Sequence, residues 1–132
     1  MPYLYLGASV HLSFIVRKWP TPGKLPSLVN RLRRFLDNPR VSAPDFYRPV
    51  AEQLIAAFSG QPIRLIIDCT KLGFNYQLMM VAIGYRKRAL PLAWSVHHGS
   101  KGAISVKEQI ALLRYVSRLI PRKSHVWVIG DC

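Results

Sequence analysis

Two short apolar runs, each closed by an aspartate, constrain this chain more than any other feature. Ile63 to Ile67 is apolar except at Arg64 and ends in Asp68-Cys69-Thr70; Val126 to Ile129 is wholly apolar and ends in Gly130-Asp131. Runs of this length predict strands buried on both faces of a sheet. Between them, Gln77 to Tyr85 and Ala89 to Val96 read as a second and a third strand. The short turn at Arg86 and Lys87 that joins them demands antiparallel pairing. Pro91 has no N–H to give to a ladder, which predicts that the third strand lies at a sheet edge. His97 to Gly102 reads as a polar loop. Ser105 and Glu108 stand at capping-box spacing and open a helix whose expected core face is Val106, Ile110, Leu113, Val116 and Ile120, stopped by Pro121.

Upstream, Thr21 to Pro26 reads as a connector, rich in proline and glycine. Leu28, Leu32, Phe35 and Leu36 then recur at helical spacing, with Arg31, Arg33 and Arg34 mostly off that stripe. This helix should end near Asn38-Pro39, because proline disfavours helix in the residue before it. A second helix is expected from Asp45 to Phe58, with Phe46, Val50, Leu54 and Phe58 buried and Ser59-Gly60 terminating it. Met1 to Val16 lacks a basic leader region and includes His11 and Ser13, so it reads as a buried helix or strand, neither a signal nor a membrane span. The expected class is α/β. A helical lead-in, 1–60, precedes a core, 61–132, built as a three-strand antiparallel meander, a helix and a parallel fourth strand.

The charge balance bears on partners. Nineteen Lys and Arg stand against six Asp and Glu, a net charge of +13. A surface of that sign favours polyanions, nucleic acid above all. The excess is spread along the chain: 8 basic and 3 acidic residues up to Gly60, then 11 and 3. No basic tail stands apart from a folded domain. A half-hydrophobic composition argues against disorder. The two cysteines, Cys69 and Cys132, form no CxxC pair; reduced thiols in a cytoplasmic protein are the simplest expectation.

In a chain selected to attract phosphate, each carboxylate needs a reason. A strand-end aspartate is costly unless paired, hydrogen-bonded or bound to metal, and it often caps a turn instead. If the last strand runs parallel to the first, Asp68 and Asp131 emerge at the same rim of the sheet. Converging carboxylates suit Mg²⁺ (or Mn²⁺), which takes oxygen ligands. Paired metals stabilise the attacking and leaving oxygens of phosphodiester displacement.

The words "LIIDCT", "ALPLAWSV" and "VWVIGD", in this order, resemble the DDE transposases of bacterial insertion sequences (type 4 class), whose core has a ribonuclease H-like fold. The resembling residues are Asp68 and Thr70, then Lys87, Arg88, Leu90 to Leu92 and Trp94, then Gly130 and Asp131. The upstream "RLRRFLDNPRV" resembles the family's segment before its catalytic core. The resemblance implies a metal-holding triad of two aspartates and a glutamate, with Asp68 and Asp131 as the first two. Glu108 fits a capping box better than the third place, and Glu52 precedes the core, so the third acid has no match. The family continues Gly-Asp-Arg, where this chain has Cys132. The expectation is a fragment truncated after the second aspartate and inactive alone, with transposon ends and target DNA as partners and a full-length transposase or a second copy as further ones. The alternative is a non-catalytic DNA-binding module or regulator derived from a transposase.

Arg31, Arg33 and Arg34, Lys71, and the turn residues Arg86, Lys87 and Arg88 are the candidate phosphate contacts; the three helix arginines read equally well as a solvated face, and for Lys71 and the hairpin tip a surface charge is the simpler reading. His97 and His98, without further ligands beside them, read as loop residues. Trp94 and Trp127 read as core.

Overall fold

The computed structural model describes residues 9–99 and 104–131. It is an α/β protein with four helices and a four-stranded mixed sheet among those residues. The elements are α1 (Leu12–Val16), α2 (Leu25–Leu36), α3 (Ala43–Ala56), β1 (Ile63–Leu72), β2 (Tyr76–Tyr85), β3 (Arg88–His98), α4 (Val106–Leu119) and β4 (Val126–Asp131). None of the helices is long and apolar enough to cross a membrane. The chain divides into two compact units, Met1–Ser42 and Ala43–Cys132.

In the first unit, α1 packs on α2 around Ile15, Val16 and Leu32, with Leu28 and Phe35 partly buried against them. Leu36, expected on the buried stripe, is 52% exposed. Pro26 occupies the first turn of α2, where a missing N–H costs nothing.

In the second unit the strand order is β3-β2-β1-β4. The meander pairs antiparallel, and β4 returns parallel to β1. Pro91 lies on the edge strand as its chemistry requires, and the β2–β3 register slips beside it: Ala82 pairs with Pro91 and Val81 with Ala93, leaving Leu92 as the extra residue. The core joins Ile63, Leu65 and Ile67 of β1, Met79, Val81 and Ile83 of β2, Leu92 of β3, Ala51 and Ile55 of α3, and Val116 of α4.

Several expectations are corrected. From Ile63 to Asp68, β1 alternates buried positions with exposed or half-buried ones, so its Ile63, Leu65 and Ile67 face is the packed one; an apolar run fixed the strand but not the number of covered faces. β4 is not buried: Trp127, Val128 and Ile129 are 67%, 55% and 58% exposed, and Trp127 is not core. Both helical stripes hold only in part, in the C-terminal half of each helix. In α3, Leu54 and Phe58 pack on the core as expected, but Ala51 and Ile55 are the buried residues and Phe46 and Val50 face outward; in α4 and its C-cap, Leu113, Val116 and Ile120 pack as expected with Leu112 and Leu119 beside them, while Val106 and Ile110 are exposed. The 3.6-residue period allows several faces when apolar residues are plentiful, and docking on the sheet selects one.

His97 and His98 belong to β3 and not to a loop. Cys69 is disulfide-bonded, against the expectation of a reduced thiol; Cys132, the chain's other cysteine, lies outside the described residues.

Candidate metal centre

β1 and β4 keep one parallel register from Ile63 opposite Val126 to Asp68 opposite Asp131. Neighbouring strands lie about 4.8 Å apart, and paired positions share a face. The backbone thus sets the two aspartate positions side by side, at the end of both strands. Their face is the open one, on which β1 also presents Arg64. The helix α4 makes this possible, because a parallel return needs a crossover of a dozen or more residues.

Gly130 lets β4 approach β1 closely next to the acids. A Cβ there would run into Cγ2 of Ile67, a buried and β-branched neighbour that cannot easily turn away. The Gly-Asp pair is therefore one steric unit: the glycine permits the strand contact that aligns the aspartate.

The Asp68 carboxylate is exposed, and its Oδ2 accepts a hydrogen bond of 3.2 Å from Thr70 Oγ1 two residues on. Thr70 and Asp68 are alternate residues of one strand and share its face. The desolvation cost expected for a strand-end carboxylate does not arise here, since water reaches the group. Among the described residues no cluster of three or more His, Cys, Asp or Glu gathers to hold a metal. The donor set at this rim is two carboxylate positions, which fits Mg²⁺, an ion commonly held by one or two carboxylates and otherwise by water and substrate phosphate.

The basic candidates separate. Lys71 lies three residues past Asp68 at the same end of β1 and is exposed. Arg86, Lys87 and Arg88 are at the opposite end: Asp68 pairs with Met80, and from there β2 runs five more residues to Tyr85, about 17 Å of strand. Arg86 stacks over the Tyr85 ring at 5.3 Å and takes a positive φ of 55° in the turn. Arg31, Arg33 and Arg34 are exposed on α2 in the other unit, where Arg33 donates to Asn30 at 3.3 Å.

The residues overlooked in the sequence are Ser95 and His97. On β3 they are two apart and share a face; Ser95 bonds His97, and His97 in turn bonds Glu108 of α4. Treating His97 as the start of a loop hid that alternation. Glu108 forms the expected capping box, accepting from Ser105 N–H at 2.7 Å and Ser105 Oγ at 2.8 Å. These bonds, with His97, hold its carboxyl below the usual carboxylate range. No protein-family model, curated protein or solved structure matches the chain.

Proposed function

We propose that this chain carries the first two acids of a DDE transposase centre within a ribonuclease H-like core. The observation that carries the reading is the parallel register of Asp68 with Asp131. A meander, a helix and a parallel fourth strand, the sequence words around both acids and the net charge of +13 support it. Asp68 and Asp131 would hold Mg²⁺ or Mn²⁺, which when bound neutralises charge as water, and then a DNA 3′-hydroxyl, displaces at phosphorus. Lys71, exposed at the same end of β1 but an odd number of residues from Asp68 and so on the other face of the strand, is proposed as a phosphate contact beside the metal site and not within it.

Glu108 does not supply the third acid, because its oxygens are engaged by Ser105 and His97 on the covered side of the sheet. The chain alone is therefore proposed to be inactive in strand transfer. That same engagement favours one second reading, a DNA-binding module without catalysis.

Titration with Mn²⁺, followed by paramagnetic broadening of amide resonances, tests the metal reading. Broadening centred on Asp68 and lost in both Asp68→Asn and Asp131→Asn supports it. Broadening centred elsewhere, or unchanged by either substitution, defeats it. Adding a segment with the third acid separates the two readings: Mg²⁺-dependent nicking of DNA marks a catalytic remnant, and salt-sensitive binding without nicking marks the module.

A further inference from the structure

The covered face of β3 and the start of α4 bring together three side chains that the metal centre does not use. Ser95 Oγ lies 2.7 Å from His97 Nε2, and His97 Nδ1 lies 2.9 Å from Glu108 Oε1. An ionised carboxylate offers only acceptor sites, so the Nδ1–H of His97 points to Glu108. Nε2 is then left with its lone pair, and the Ser95 hydroxyl donates to it. The order is hydroxyl, imidazole, carboxylate, each member fixed by the next, which is how serine is activated on unrelated folds.

The scaffold explains why the geometry holds. Ser95 and His97 alternate on one strand and so project from one face. Their partners across the ladder are Met79 and Gln77, both buried, which gives the pair a rigid floor. Glu108 is fixed from its far side by Ser105 through the capping box. β3 is an edge strand. The His97 side chain is 19% exposed and Ser95 is half-buried, so the group is shielded but reachable. A capping box alone would need only Ser105 and Glu108; it does not require an imidazole on the second carboxylate oxygen or a serine on the far nitrogen.

We propose that Ser95 is an activated nucleophile that takes an acyl group from carboxylic esters, with His97 as general base and Glu108 as its positioning residue. The Ser95 Oγ–H proton passes to His97 Nε2 as the Oγ–acyl bond forms. The ester C–O bond breaks, and the leaving oxygen takes that proton. Water then attacks the acyl-serine, giving up a proton through Nε2, and releases the carboxylic acid with Ser95 restored.

The test uses the intact chain with 4-nitrophenyl acetate, in chelator and without DNA, so its result is independent of Asp68 and Asp131. The expected result is one equivalent of early 4-nitrophenol and an acetyl group found by mass spectrometry on Ser95 alone. A fluorophosphonate probe should mark the same residue. His97→Gln should slow acylation by about 100-fold, the scale of general-base assistance. Glu108→Gln should also slow it, though Gln at that position keeps the capping box. Should a variant fail to fold, the other serines of the unsubstituted chain serve as the internal comparison. Ser95 modified no faster than they are, or at a rate indifferent to His97→Gln in a folded variant, overturns the proposal.

Discussion

At the scale of single residues, Gly130 and Glu108 show how one atom group sets a local geometry. Gly130→Ala forces a methyl against the Ile67 side chain. Overpacking of this kind costs about 1–3 kcal/mol, and urea unfolding should record a loss in that range. If the variant is as stable as the parent, β4 does not sit tightly on β1. For Glu108 the sign follows from its hydrogen bonds. A carboxyl held below its ordinary value stabilises the fold above the unfolded value, about 4.3 for glutamate, and loses that contribution as pH falls through the folded one. Comparing thermal melts of the parent and Glu108→Gln should therefore show a gap at pH 6 that closes toward pH 3. A gap that is constant with pH would mean that the charge on Glu108 is irrelevant to stability.

At the scale of elements, the decisive outcome is which face each one buries. Met79 is fully buried in β2, whereas Phe46 of α3 is 67% exposed. Met79→Ala should cost about 2–5 kcal/mol, and Val106→Ala, at a position of α4 that is also 67% exposed, should stay within about 0.5 kcal/mol; calorimetry distinguishes them. The reverse order would restore the helical stripe first read from periodicity. β4 poses a different problem. It is at the sheet edge and exposes Trp127, Val128 and Ile129, with no lysine or proline inside it to discourage pairing with another chain. Light scattering should show self-association that rises with concentration and falls in Val128→Lys.

At the scale of the whole molecule, the net charge of +13 governs association with polyanions. Binding to duplex DNA of arbitrary sequence should weaken steeply with salt, because each neutralised phosphate releases counterions. With only three phosphate contacts, raising salt from 50 to 200 mM should lower affinity by about 40-fold. A flat salt dependence, read by fluorescence anisotropy, would remove the electrostatic basis of the DNA-binding proposal.

The element order from α2 onward, the antiparallel hairpin, the edge position of β3 and the capping box at Ser105 were all legible in the residues, because each rests on local chemistry: apolar runs, a short turn, a proline without its N–H, a hydroxyl three residues before a carboxylate. The pairing of Asp68 with Asp131 was legible only as a condition, since strand direction is decided by how α4 packs back on the sheet. Which residues of α3 and α4 are buried, that β4 is exposed on both of its faces, and that His97 extends β3 to reach Glu108 belonged wholly to the tertiary structure. These depend on contacts between segments remote in sequence, and a periodic pattern of apolar residues permits several such contacts while the packed sheet admits one.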